Sequence, residues 1–229
     1  MSSITKSVAL LMFAALASCD TNPVMAGCCD VGHPGVRVVN GYTLPIDIYI
    51  DGSAVASSVP AATIDTVTTT SGSHTFMIRP AGSASSSTQT ISATSGALPT
   101  VAVVSASGSI STTILDDTNN VVPVNATKLR VLHLAPNAGT LQVYRTQPDF
   151  PTPVAWQTPF TYQPDPTSLS APFYQSSVGT WEVRIWQTPT DASGWSTAPV
   201  RILIPLASGQ KRTIVILDKA GGGVRAEVI

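Results

Sequence analysis

An all-β chain arranged as two tandem β-sandwich domains is the fold class this sequence predicts, and three observations predict it. Apolar and polar residues alternate over short runs. Four such runs recur in the same order in the two halves of the chain. Beyond the first apolar run, no window of about 11–18 residues carries a helical period. Composition agrees: charged residues make up only 11% of the 229, Glu and Lys are scarce, and Ser, Thr, Val, Gly and Pro are abundant, which favours short strands joined by punctuated turns.

The first element is a targeting signal over 1–18. Residues 1–7 carry one positive charge, Lys6, and "VALLMFAALA" (8–17) is uninterrupted apolar. That run is too short to span a hydrocarbon core, which needs about 20 residues, but it has the length and flank of an export signal. It closes on "LASC" (16–19), which resembles the lipobox of bacterial lipoproteins. The resemblance implies that Cys19 is diacylated on sulfur, becomes the first residue of the mature chain and is N-acylated, by palmitate-type chains. A second processing site competes, "VMA" before Gly27, with the small-residue pattern of ordinary signal peptidase. A cytosolic chain with an apolar first strand is the third reading. With Cys19 acylated, membrane lipid is the expected partner and the cell envelope the expected location. Asp20 resembles an inner-membrane retention signal of some enteric bacteria and leaves the leaflet open.

Residues 19–34 form the expected flexible tether, rich in Pro, Gly and Asn without a period. All three cysteines, Cys19, Cys28 and Cys29, precede residue 30, so neither expected domain is disulfide-stapled. The adjacent pair lacks the spacing of a zinc or redox motif and is awkward for one ordinary disulfide.

The body is two copies of one pattern, 35–120 and 128–229, joined by a linker at 121–127. "GVRVVNGYTLPIDIYIDG" (35–52) matches "KLRVLHLAPNAGTLQVYRT" (128–146), "GSHTFMIRP" (72–80) matches "GTWEVRIWQ" (179–187), "TISATSG" (90–96) matches "ILIPLASG" (202–209), and "TVAVVSASG" (100–108) matches "RTIVILDKAGG" (212–222). Within these runs Ile46, Ile48 and Ile50 share one strand face, and Asp47, Tyr49 and Asp51 the other. His74, Phe76 and Ile78 face inward, as do Trp181, Val183 and Ile185, with Glu182, Arg184 and Trp186 opposite. A sheet with one buried face needs a second sheet over it. "TVAVV" and "TIVIL" are denser in β-branched residues. "DG" at 51–52 signals a hairpin turn.

"VRVVNG…LPIDIYIDG…GSHTFMIRPAGS" and "LRVLHLAPNAGTLQVYR…GTWEVRIW" resemble the two halves of a bacterial DUF4397-type protein, whose usual run is close to "VRVVHASPDAPAVDVYVDG". The second copy keeps "RVLHLAPNAG" but lacks "VDG", and the first reads "NGYTLP" where the Ser-Pro-Asp turn would sit. The resemblance implies exported proteins with Ig-like or transthyretin-like β-sandwiches. It implies no chemistry and no catalytic residue.

A hydrolase would need a nucleophile, a base and an orienting group. The histidines, His33, His74 and His133, fall in different regions without shared spacing, and no zincin, nucleophile-elbow, Walker or dinucleotide signature appears. Asp47 with Asp51, or Asp116 with Asp117, supplies too few oxygens for calcium. No catalytic residue, metal or cofactor is therefore expected. Arg37 and Asp47 are expected to form a structural cross-strand ion pair, with Arg130 in the place of Arg37 in the second copy and Gln142 replacing the acid. The chain carries a net charge of −1; the first half holds two basic and five acidic residues over 35–120, the second nine and six over 124–229. That bias is too small for a nucleic-acid surface.

One stretch stands out. Residues 146–175 hold seven prolines and six aromatics, and all four tryptophans of the chain lie in the second copy. Proline cheapens the fixing of a loop and aromatics supply rigid contact area, so Trp156, Phe160, Tyr162 and Tyr174 are candidate ligand-binding residues; a cover over an open sheet edge or a seal on the contact between the domains is the competing role. The leading expectation is a non-enzymatic, lipid-anchored envelope protein with a structural or adhesive role towards an envelope protein or glycan. The alternative is a carbohydrate-binding or substrate-capture module built on those rings, and a hydrolase around His133 is a third.

Overall fold

The computed structural model describes residues 34–115, 121–146, 154–166, 172–187 and 198–229. The signal with Cys19, the tether with Cys28 and Cys29, His33, Phe150 and the Asp116–Asp117 pair lie outside them. The first half contributes β1 (Gly35–Asn40), β2 (Ile46–Ile50), β3 (Ser53–Val59), β4 (Thr63–Thr68), β5 (Gly72–Pro80), β6 (Ser87–Ala93), β7 (Thr100–Ala106) and β8 (Ser109–Leu115). The second contributes β9 (Ala126–His133), β10 (Leu141–Thr146), β11 (Val154–Phe160), β12 (Tyr174–Ser177), β13 (Gly179–Trp186), β14 (Val200–Leu206), β15 (Lys211–Asp218) and β16 (Val224–Val228).

Each half makes two four-stranded sheets with the same topology. The first half gives β4-β1-β7-β8 and β3-β2-β5-β6; the second gives β12-β9-β15-β16 and β11-β10-β13-β14. In both halves one pair is parallel, β1 with β7 and β9 with β15, and the other neighbours are antiparallel. The correspondence extends to irregularities. β2 slips register against β3 between Ile46 and Ile48 and again before Tyr49, and β10 slips against β11 between Leu141 and Val143 and again before Tyr144. The fold is thus all-β, with two repeated sheet pairs consistent with two β-sandwich-like domains.

Alternation positions the cores. Val36, Val38, Ile46, Ile48, Phe76, Ile78, Val101 and Val103 fill the space between the first pair of sheets, and Leu129, Val131, Leu141, Val143, Val183, Ile185, Ile214 and Ile216 the second. The Asp51–Gly52 turn has positive φ at both residues, 50° and 81°, as a two-residue hairpin turn requires.

A third core lies between the two halves. Val39, Ala102, Val104 and Leu115 project from the other face of β4-β1-β7-β8 and cluster with Leu132, Leu134, Val215 and Leu217 from the facing sheet. Strands β1, β7, β9 and β15 are therefore buried on both faces, which is why "TVAVV" and "TIVIL" read as continuous apolar runs. Gly41 sits at this contact: a Cβ there would stand 2.8 Å from the Leu134 carbonyl oxygen and 2.9 Å from its Cβ. Polar groups seal the margin. Tyr162 Oη accepts from Ser105 N at 2.7 Å and donates to Ser105 O at 3.2 Å, and Arg225 Nη2 donates to Ala62 O at 2.6 Å. The described residues from 34 onward belong to one compact unit.

Residues 146–175 contain the edge strand β11 and the first two residues of the edge strand β12, which take the places of β3 and β4 in the first half. Opposite the second core, Trp186 and Glu182 are buried despite their outward parity: Trp186 stacks on Tyr144 with centroids 4.8 Å apart, and Glu182 binds Arg184 and Arg201. Parity sets the face of a sheet, not what covers it.

Candidate functional site

His133 ends β9, where the strand runs between two cores. Its ring is fully buried. Nε2 lies 2.8 Å from Gly139 O and donates to it, and Nδ1 accepts from Ala135 N at 3.3 Å. Phe160 and Tyr162 pack against it at 5.6 and 6.2 Å. Burial pushes its pKa below the ordinary 6.5, only partly offset by the Gly139 bond and Asp218. Both nitrogens are engaged by backbone, so among the described residues no serine and acid complete a hydrolytic triad around this ring. The equivalent residue of the first half is Asn40, which also accepts from the backbone N–H two residues on (Tyr42 N, 3.1 Å) and donates to Val59 O and Pro60 O at 3.2 and 2.9 Å. The two side chains perform one task, tying the end of the central strand to the loops beside it.

The expected pair of Arg37 with Asp47 does not form between neighbouring strands. β1 and β2 follow each other in sequence but belong to opposite sheets. Asp47 instead faces Arg79 across β2 and β5, with Oδ2 3.6 Å from Nε, and its Oδ1 accepts from the bulged Ser58 N at 3.0 Å. Arg37 is half-buried on β1. Arg130 is buried at 2% exposure, donates from Nε to Thr213 Oγ1 at 3.1 Å and lies 4.2 Å from the Phe173 ring centre. His74 Nδ1 pairs with Asp51 Oδ2 at 2.7 Å while its Nε2 meets Thr70 O at 2.9 Å.

The four candidate rings do not share one surface. Phe160 belongs to the second core, and Tyr162 to the contact between the halves. Trp156 and Tyr174 stand on edge strands β11 and β12, half-buried and edge-to-face at 5.8 Å and 77°, with Gln157 Nε2 donating to Tyr174 Oη at 2.8 Å. They close the gap between the edges of the second pair of sheets.

Beside them stands Arg145, which the sequence reading passed over. Its place in β10 is that of Ile50 in β2, since Arg145 faces Val183 across the sheet as Ile50 faces Phe76. The half-buried guanidinium lies 5.4 Å from the ring centres of both Trp156 and Trp181, and Nη1 donates to Ser176 Oγ at 3.1 Å. Burial pushes its pKa below the usual arginine range, with Tyr174 opposing. Among the described residues no carboxylate pairs with it. Trp156 Nε1 is buried without an acceptor, a condition that costs about 1–3 kcal/mol. The signal was legible: Leu141, Val143 and Arg145 share a face by the period of two.

Among the described residues no group of three His, Cys, Asp or Glu is placed to hold a metal, and no helix is long and apolar enough to cross a membrane. Paired sheets with structural polar residues define an all-β domain of the sandwich kind. A family model described as "Domain of unknown function (DUF4397)" matches residues 34–144, so a DUF4397 domain occupies part of the chain. The match takes in β1 to β9 and β10 as far as Tyr144. No curated protein matches the chain.

Proposed function

We propose that this protein is a non-enzymatic, lipid-anchored protein of the cell envelope whose fused pair of sandwiches acts as a structural or adhesive module towards another envelope component. The observation that carries the proposal is the apolar core between the halves, Val39, Ala102 and Val104 against Leu132, Val215 and Leu217, which packs the two repeats together as one compact body. The engagement of His133, Asn40 and Asp47 by backbone or arginine supports it, since groups spent on holding loops are not poised for proton transfer. The "LASC" segment supports the anchor. Each buried CH₂ contributes about 0.8 kcal/mol, so two or three acyl chains on Cys19 would hold the body firmly.

The anchor is tested by metabolic labelling with an alkyne fatty acid and fractionation of cells making the full chain or Cys19→Ser. Label and membrane association confined to the wild type are expected; an unlabelled chain beginning at Gly27 would overturn the anchor. The module is tested by cross-linking whole cells. Recovery of the same envelope component by wild type, and its loss when Leu132→Ala loosens the contact, is the expected result. Recovery unaffected by that change would argue against a role for the packed pair.

A further inference from the structure

The second half holds a cation where the first holds core. We propose that the corner of the second sandwich around Arg145 is a carboxylate-binding site, with the guanidinium as the charged fork, the Trp156 indole N–H as a second donor, and the Trp156, Trp181 and Tyr174 rings as walls. The proposal goes beyond a structural or adhesive role and does not depend on the lipid anchor.

Three observations carry it. First, Ile50 shows that an aliphatic residue fills the equivalent position in the same backbone, and replacing that aliphatic with a half-buried charge costs desolvation. Such a cost is met in folded proteins by a partner of opposite charge, and among the described residues none pairs with Arg145: Ser176 Oγ takes one N–H, and two indole faces flank the rest. Second, Trp156 Nε1, on one of the two rings that flank the guanidinium, is buried and idle. Third, the neighbouring polar groups are already engaged: Gln157 Nε2 donates to Tyr174 Oη, and Trp181 Nε1 donates to Ser177 O at 2.9 Å. Among the described residues the corner holds no acceptor carrying negative charge.

A guanidinium presents a planar fork that matches the two oxygens of a carboxylate, and indole faces pack well against a ring with an apolar side. A carboxylate carried on a sugar, as in a uronic acid, combines both. A free or chain-terminal carboxylate offers only the first.

The test uses the full mature protein, with tryptophan fluorescence and melting temperature read during titration with sodium glucuronate, sodium acetate, inorganic phosphate and glucose. Wild type should give a saturable response to the carboxylates and none to glucose. Tighter binding of glucuronate than acetate assigns the carboxylate to a sugar; equal binding assigns it to a carrier of any kind. Arg145→Ile should abolish the response while melting no lower than wild type, and Trp156→Phe, which keeps a ring, should weaken binding roughly tenfold. Arg201→Gln, a change on the opposite face of the sheet, should leave binding unchanged. The proposal is overturned by no saturable response to either carboxylate, by a response to phosphate alone, or by an undiminished response in Arg145→Ile. If Arg145→Ile melts early, Trp156→Phe decides: undiminished binding there removes the second donor and with it the site as described.

Discussion

At the end of the central strand the first repeat places Asn40 and the second His133, and both side chains bind the same kinds of backbone group. On the outer face of the first repeat Arg79 lies over the Tyr49 ring at 4.4 Å; in the second, Trp186 takes the place of Arg79 and stacks on Tyr144. Ile50 becomes Arg145, and the His74 position becomes Trp181. Topology and register slips are common to the two halves, while their chemistry diverges. Positions that fill a core or tie a loop hold functional equivalents in the two repeats. Arg145 is the exception, a charge where the other repeat holds the core residue Ile50.

The largest expected effect comes from the core that the repeats share. Leu132→Ala should cost about 2–5 kcal/mol in denaturant unfolding, because the leucine is fully buried in the contact between the halves. A cost no larger than the about 0.5 kcal/mol of an exposed substitution would mean that the halves do not pack there. Gly41→Ala should cost about 1–3 kcal/mol by overpacking against Leu134, measured the same way, whereas Gly52→Ala, with open space around its Cβ, should act only through its positive φ.

The Asn40 and His133 equivalence can be broken directly. His133→Ala should cost about 1–3 kcal/mol by stranding Gly139 O and Ala135 N, and His133→Asn should recover part of that loss. If Asn and Ala cost the same, the two residues do not share a task.

The smallest effects are in pH, and the two histidines act in opposite senses. Hydrogen bonding to Asp51 holds the His74 pKa above 6.5, so this stabilisation is fully present below 6.5 and is lost as pH rises through the raised folded value. The same bond holds Asp51 below 3.8, giving stabilisation present above 3.8 and lost as pH falls through the lower folded value. Burial holds His133 below 6.5, so its contribution is present above 6.5 and lost as pH falls from there. An NMR titration should find His74 above and His133 below the ordinary value, and Asp51→Asn should return His74 alone towards 6.5.

The strands that alternate were legible in the sequence, as "IDIYI" with its buried Ile46, Ile48 and Ile50 illustrates. Edge strands were less so. β3, "SAVASSV", is exposed over most of its length and carries no period to read, and β11 and the start of β12 lie inside a proline-rich stretch that resembles a loop. Sheet membership is not legible at all: alternation points Asp47 to Arg37, but adjacency in sequence says nothing about which of two sheets a strand joins, and the partner of Asp47 is Arg79. The core between the halves left a trace, the unbroken apolar runs of β7 and β15. Of the corner around Arg145, composition marks the tryptophans and the period of two marks the inward arginine; that Trp156 and Trp181 flank it is not legible, because that depends on which strands become sheet neighbours.

The core between the halves should make the two repeats unfold as one body. All four tryptophans lie in the second repeat, so fluorescence follows that half alone while far-UV circular dichroism follows both. In wild-type protein unfolded by urea the two curves should coincide, and in Leu132→Ala they should separate. Two separate transitions in the wild type would contradict the account.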